Sequence, residues 1–256
     1  MSYLNRKTLG QVFLTNLSYI EKIKNSINVT GETVLEIGPG KGAITKYLAQ
    51  EAKKLYAVEV DPKLHELLVI QFINYKNIEL VNKNILTFDF SCLKDKVIVF
   101  GNIPYCISSP IIKCLIENRS FIKHAYLTCQ KEFIDKLIAK PSTDDYVFLS
   151  CYLQYYAKIT KIFDIPANAF SPIPKVSSTF AMLDFSIAPT VKAENEDFLF
   201  GLIKKAFANR RKKIINALRL EDKKDILLSC GIDPNLRPEN ISLKQYITLA
   251  NTVNPK

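Results

Sequence analysis

Six consecutive residues, Phe100-Gly-Asn-Ile-Pro-Tyr105, carry the groups in this 256-residue chain best suited to chemistry. An apolar run from Lys96 to Phe100 reads as a buried strand, and Ser109-Pro110 reads as a helix start. Asn102 to Tyr105 therefore fall where a strand gives way to a loop, the edge at which open α/β sheets bind ligands. The residue types suit alkylation of an amino group on a planar ring. The exocyclic amine of adenine is a poor nucleophile because its lone pair is spread into the ring. The Asn102 side-chain carbonyl and the Ile103 backbone carbonyl can accept both of its N–H bonds, which favours a pyramidal nitrogen with a localised lone pair. Pro104 fixes its own φ and stiffens the turn. Tyr105 offers a flat face to an unstacked base. Taken alone, the same residues also describe a strand-ending turn with an aromatic packed inward.

The elements around this turn supply the context. Thr33 to Ile37 reads as a first strand, Gly38-Pro39-Gly40-Lys41-Gly42 as a turn, and Ala43 to Glu51 as a helix. Strand, glycine-rich turn and helix in that order form a nucleotide-type cradle, because glycines let the backbone approach a ligand at a helix N-terminus. A second strand, Lys54 to Val60, carries Glu59, 21 residues after Gly38 (59 − 38). That is near the spacing of a carboxylate that binds ribose hydroxyls. Gly38-x-Gly40-x-x-Ala43 also satisfies the dinucleotide fingerprint, so NAD competes. Pro39 counts against it by removing one N–H from a loop that would grip a pyrophosphate. S-adenosylmethionine carries adenosine without phosphate, and its sulfonium is positive, so Glu36 and Glu59 suit it better. Nothing in the chain supplies an acid/base pair for hydride transfer.

Asp61-Pro62 opens a helix to about Asn74. Ile78 to Val81 is a short strand, and Asn84 follows its end, either meeting the cofactor's adenine or capping a turn. Further elements are a helix from Pro110 to Asn118, a strand from Ala125 to Cys129 and a helix from Gln130 to Ala139. Two β-like runs follow within Leu149 to Ile165, then the proline-bounded loop Phe170 to Val176 and a last strand from Ser178 to Phe185. This alternation predicts a mostly parallel, doubly wound sheet, with an antiparallel edge from the late strands. Asn16 to Ile27 has helical periodicity, and Tyr3 to Leu14 reads as a basic arm or a poorly ordered end.

Composition changes near Ile187, and the chain divides into 1–185 and a helical region, 186–256. The second region holds 13 Lys/Arg against 8 Asp/Glu, a surplus of 5 that equals that of the much longer first region (22 against 17). Lys204, Lys205, Arg210, Arg211, Lys212, Lys213 and Arg219 occur with no acid between Phe198 and Leu220, which favours phosphate contact over a merely solvated face. The net charge of +10 likewise favours a polyanionic partner. Six cysteines without a C-x-x-C pair read as reduced core thiols of a cytoplasmic protein. Two histidines without ligand-like spacing argue against a metal site and against hydrolase chemistry. No apolar run is long enough to span a bilayer, and no secretory signal is visible.

The ordered set of motifs resembles the KsgA/RsmA family of rRNA adenine N6-dimethyltransferases. Its parts are Leu9-Gly-Gln-Val-Phe-Leu14, Glu36-Ile-Gly-Pro-Gly40, Glu59-Val-Asp61, Asn102-Ile-Pro-Tyr105, Gln130-Lys-Glu132, Phe170-Ser-Pro-Ile-Pro-Lys-Val176, Arg210-Arg-Lys212 and Arg237-Pro-Glu-Asn-Ile-Ser242. The last two favour the small-subunit enzymes over the macrolide-resistance (Erm) methyltransferases, which act on 23S rRNA and share the first six. The resemblance implies a class I, Rossmann-like methyltransferase domain with a seven-stranded, mostly parallel sheet and a small all-α C-terminal domain. It implies transfer of methyl groups from S-adenosylmethionine to two adjacent adenosines near the 3′ end of 16S rRNA, in the small ribosomal subunit, by a monomer needing no metal or membrane. Carried over by position, Val12, Leu14, Gly38, Glu59, Asn84 and Asn102 would line the cofactor site. Asn102, Tyr105 and Phe170 would hold the target base. Three positions depart from the pattern: Val12 and Cys106 stand where the family usually has Asn, and Asn84 where it usually has Asp. These departures keep open a second class of function, a weakly catalytic ribosome-assembly factor that binds RNA.

Overall fold

The computed structural model describes residues 12–187 and 191–254. The arm from Tyr3 to Gln11, including the start of the first motif, and the Ala188-Pro189-Thr190 break lie outside the described residues. By its contacts the chain forms two compact units. One runs up to Ile134 and resumes over Lys158–Ser186; the other comprises Asp135–Ala157 and the chain from Ile187 onward. A single cut after residue 185 leaves Asp135–Ala157 on the other side of that division.

The first unit is built on a sheet of seven strands: β2 (Thr33–Ile37), β3 (Lys54–Glu59), β4 (Ile78–Asn82), β5 (Val97–Asn102), β6 (Ile122–Gln130), β7 (Lys158–Ile165) and β9 (Ser178–Asp184). Their order is β4-β3-β2-β5-β6-β9-β7. The pairs β4–β3, β3–β2, β2–β5 and β5–β6 are parallel, while β9 runs antiparallel to both β6 and β7. This is the Rossmann-like, mostly parallel sheet with an antiparallel edge that the strand–helix alternation predicts. All five residues of β2 are buried, as a central strand covered on both faces requires. A two-stranded ribbon lies apart from the sheet, pairing β1 (Phe13–Leu14) with β8 (Phe170–Ser171) so that Leu14 faces Phe170.

The helices of this unit are α1 (Leu17–Lys24), α2 (Thr45–Glu51), α3 (Pro62–Gln71), α4 (Ser108–Glu117) and α5 (Lys131–Ile138), the last crossing the boundary between units. Local chemistry sets their starts. Asn16 accepts hydrogen bonds from Ser18 N and Tyr19 N at the head of α1, and Asp61 caps α3 ahead of Pro62. One apolar core gathers Val34, Ile98 and Phe100 from the sheet with Ile23 and Ile27 from the α1 region, Leu48 and Ala49 from α2, and Leu14 and Phe170 from the ribbon.

The second unit is helical: α6 (Phe148–Tyr156), α7 (Glu196–Ala208), α8 (Ile214–Leu218), α9 (Lys224–Ser229) and α10 (Leu243–Val253). Its core joins Tyr146, Cys151 and Tyr155 to Leu199, Ile203, Leu218, Tyr246 and Ile247. The expected capping box at Ser242 and Gln245 opens α10. One expectation is corrected here. The first of the two β-like runs within Leu149–Ile165 is helical, and only the second is a strand. Aromatic-rich composition favours strands, but Phe148, Tyr152 and Tyr155 also recur at helical spacing and meet Phe200 of α7 edge-on, at ring-centroid distances of 6.4, 4.8 and 5.3 Å. That packing decides the local conformation.

Candidate active site

At the C-terminal ends of β2, β3 and β5 lies a cavity of about 350 Å³. Its walls include Glu36, Gly38 and Gly40 from the first strand and its turn, Glu59 from the end of β3, Asn84 and Ile85 beyond β4, and Asn102 and Pro104 from β5 and its turn. Val12, Phe13 and Leu14 close one side. Six of the expected site residues, Val12, Leu14, Gly38, Glu59, Asn84 and Asn102, thus share one cavity, although only Val12 and Leu14 are near neighbours in sequence.

The turn after β2 depends on its glycines. Gly38 and Gly40 have φ of 65° and 61°, a left-handed conformation that residues with a Cβ adopt at a cost. Gly38 N donates to Val58 O at 2.9 Å, which ties the turn to β3. Glu59 is buried, and its two carboxylate oxygens accept from Asp61 N (2.9 Å) and Gly40 N (3.1 Å). Burial raises its pKa from the ordinary carboxylate value, and those backbone hydrogen bonds oppose the rise. Glu36 is also buried, but its Oε2 has no hydrogen-bond partner. Desolvation pushes its carboxyl up to about 8; the nearby Thr45 lowers it somewhat, and Glu59 adds to the rise. The Thr45 hydroxyl, though close enough to have that influence, completes no hydrogen bond.

Asn102 is the last residue of β5 and half-buried. Its Nδ2 donates to Val12 O at 2.9 Å. Only the amide N–H can meet a backbone carbonyl, so this contact fixes which way the side chain is turned. Oδ1 is left as the acceptor presented beyond the strand end. Ile103 N donates to Thr128 O at 2.9 Å, which pins the peptide that follows. Tyr105 is half-buried in the single turn Tyr105–Ile107, and its hydroxyl lies 3.0 Å from Ser178 Oγ at the start of β9. It stands one residue beyond the cavity wall at Pro104. Phe170 is not brought to the cavity: its ring is 2% exposed and packs in the sheet core. Cys106 is exposed and is not itself among the residues that line the cavity.

Asn84 takes up the turn-capping role weighed for it. It lines the cavity, and its Oδ1 accepts from Leu86 N at 3.0 Å, capping a single helical turn. The amide oxygen is therefore engaged with its own chain, and Nδ2 is the free end. Sequence reasoning did not single out Thr128 or Ser178, which anchor Ile103 and Tyr105. Each lies on a distant strand and carries no local signal. It also passed over Gly101, where a Cβ would lie 2.7 Å from Ile103 Cδ1 and 3.3 Å from Ile37 O. The missing side chain lets Ile103 fold back beneath the turn.

In the second unit the basic run separates into two groups. Lys205 Nζ donates to Leu218 O, Arg210 to Asp144 O and Lys213 to Asn235 Oδ1. Lys204, Arg211, Lys212 and Arg219 are exposed and, among the described residues, their side chains make no hydrogen bond or ion pair. Among the described residues no group of three or more His, Cys, Asp or Glu could hold a metal ion, and no helix is long and apolar enough to cross a membrane.

Comparison with known proteins bears on the family and the fold. A family model described as ribosomal RNA adenine dimethylase matches residues 3–255. The chain is 36% identical over 264 residues to the ribosomal RNA small subunit methyltransferase A of Alkaliphilus oremlandii, covering 98% of this chain and 92% of that one. Among solved structures it resembles a dimethyladenosine transferase from Plasmodium falciparum, with a TM-score of 0.78, 27% identity, and coverage of 93% of this chain and 95% of that one. It also shares the fold of the 23S rRNA methyltransferase ErmE, with a TM-score of 0.75, 24% identity, and coverage of 95% and 100%.

Proposed function

The chain belongs to the ribosomal RNA adenine dimethylase family, and from that premise we propose that it transfers methyl groups from S-adenosylmethionine to N6 of two adjacent adenosines near the 3′ end of 16S rRNA, in the small ribosomal subunit. The observation that carries this reading is Asn102. Its side chain is turned by Val12 so that a carbonyl oxygen, not an N–H, is offered at the rim of a cavity walled by Gly38 and Glu59.

The cavity fits the cofactor. Gly38 leaves open space where a Cβ would stand, and Gly40 N–H joins Asp61 N–H in holding the Glu59 carboxylate. That leaves the remaining lone pairs of Glu59 to accept ribose hydroxyls. Glu36 supplies an unpaired buried oxygen suited to a positive ligand. When bound, S-adenosylmethionine supplies a methyl group on a positively charged sulfur. The chain's own residues do the rest. Asn102 Oδ1 and the Ile103 carbonyl accept the two amine N–H bonds and localise the nitrogen lone pair. Tyr105, tethered through Ser178, offers a face to the base. Phe170 would add a second face only if its ring left the core, so Tyr105 carries this role in our reading. Lys204, Arg211, Lys212 and Arg219 contact RNA phosphates.

The test is mass-spectrometric mapping of dimethyladenosine in small-subunit rRNA from cells with and without this protein. Loss of the modification near the 3′ end without the protein is expected. Unchanged modification there, or loss in large-subunit rRNA instead, would overturn the assignment.

A further inference from the structure

Glu36 differs from every other polar group of the cavity. It sits near the C-terminal end of the central strand β2, buried, with Oε2 free of any hydrogen bond. The neighbouring strands place Ala57 and Phe100 opposite it, and α2 places the Thr45 hydroxyl beside it. The charged side chains that share the cavity are Glu59, Lys41 and Lys83. Glu59 repels it. Lys41 is engaged elsewhere, with Nζ 5.3 Å from the Phe13 ring centroid. Among the described residues, no basic side chain pairs with Glu36. A buried carboxyl in that setting either keeps its proton or gains a cation, and burial, with the Glu59 charge adding to it and Thr45 opposing it, holds this one protonated up to about 8.

We propose that Glu36 is a proton-exchanging counter-charge that distinguishes the cofactor from its product. Its carboxyl releases a proton to solvent when the positively charged sulfonium ligand enters, and recovers one when the neutral thioether remains. The step is Glu36–COOH to Glu36–COO⁻ plus H⁺ taken by buffer; no other bond changes. The inference rests on the S-adenosylmethionine reading above and deepens it. S-adenosylmethionine and S-adenosylhomocysteine differ by one methyl group and one unit of positive charge. A carboxyl poised to ionise in a low-dielectric cavity turns that charge into a difference in affinity. Preference for cofactor over product therefore rises with pH, and reprotonation favours product release.

Isothermal titration calorimetry of the full chain tests this, with both ligands from pH 6.5 to 8.5 in two buffers of different ionisation enthalpy. The wild-type protein is expected to release close to one proton per S-adenosylmethionine bound at pH 6.5, and far fewer per S-adenosylhomocysteine. For full coupling to a group titrating near 8, affinity for the sulfonium ligand rises ~25-fold across that range. The α-amino group of each ligand titrates in the same window, and the Glu36→Gln variant, expected to bind without the extra proton release, measures that background. Equal proton release for the two ligands, or release unchanged in Glu36→Gln, would overturn the inference. The comparison of ligands on wild-type protein decides it even if the variant does not fold. If neither ligand binds the wild-type protein, the cofactor reading fails and this one with it; binding without proton exchange removes this one alone.

Discussion

Gly40→Ala probes the construction of the cavity most directly. Gly40 has φ of 61°, and a Cβ there would lie 2.9 Å from Phe13 Cε1 and 3.0 Å from Cδ1. The substitution incurs two separable costs. Left-handed backbone costs a residue with a Cβ ~1–2 kcal/mol. Driving the Phe13 ring out to ordinary contact costs about 1 kcal/mol, at the low end for overpacking because the obstacle is a side chain on a two-residue strand. The total is about 2–3 kcal/mol. The displacement matters beyond its energy. Phe13 adjoins Val12, whose carbonyl orients Asn102, and Gly40 N–H holds Glu59. One methyl group therefore disturbs both the donor and the acceptor ends of the site. A double-mutant cycle with Phe13→Ala isolates the steric part, since the backbone cost stays and the clash goes. Urea unfolding followed by circular dichroism should show a coupling of about 1 kcal/mol. Gly40→Ala should also weaken cofactor binding less in the Phe13→Ala background than in the wild-type one. Equal costs in the two backgrounds would refute the packing of Phe13 over the glycine turn.

Other substitutions test separate links. Asn102→Ala should abolish methyl transfer to immature small subunits while leaving RNA binding largely intact; full retained turnover would end the role given to its carbonyl. Asn84→Asp should tighten S-adenosylmethionine binding about 10-fold, the equivalent of ~1.4 kcal/mol, because a carboxylate can cap Leu86 N with one oxygen and offer the other to the cavity; an unchanged or higher dissociation constant would count against this. Arg219 has φ of 58° at the end of α8, so Arg219→Gly should raise stability by up to ~1 kcal/mol while lowering the salt dependence of RNA binding by about one phosphate contact. For Glu36, the native carboxyl keeps its proton between its ordinary value of 4.5 and about 8, where the unfolded chain has lost it. Stability of the ligand-free protein should therefore fall as pH rises through that window, by at most about 1.4 kcal/mol per pH unit. Glu36→Gln should flatten the dependence of Tm on pH; parallel curves for the two proteins would refute the buried, protonated state.

The parts of this fold that were legible in sequence are those set by local patterns. Thr33–Ile37 read as a strand, Asp61-Pro62 as a helix start, and Ser242–Gln245 as a capping box, and each stands where its residue types place it. The Phe148–Tyr156 segment was misread because aromatic content and helical spacing pointed in opposite directions. Only the packing against Phe200, more than forty residues away, resolves the conflict. Asn84 was legible as a residue at the site, but not the direction of its amide, which is fixed by a cap two residues on.

The same distinction explains why the Asn102–Tyr105 turn, the proposed catalytic turn, could be placed at a strand end from sequence while its orientation could not. Asn102 and Tyr105 belong to one short motif, yet their side chains are set by partners 90 and 73 positions away, Val12 and Ser178. Each partner acts through a backbone carbonyl or a small hydroxyl, groups that almost any sequence could supply. Val12 is the telling case. It departs from the family's usual Asn, but the group it gives to Asn102 is its main-chain oxygen, which the substitution leaves in place. Side-chain identity at position 12 is therefore free to change without turning the Asn102 amide, whereas any change that shifts the β1 backbone, such as a side chain on Gly40, is not. The orientation of the acceptor depends on the path of the ribbon rather than on its sequence, and loss of that path should cost methyl transfer even where every motif residue is retained.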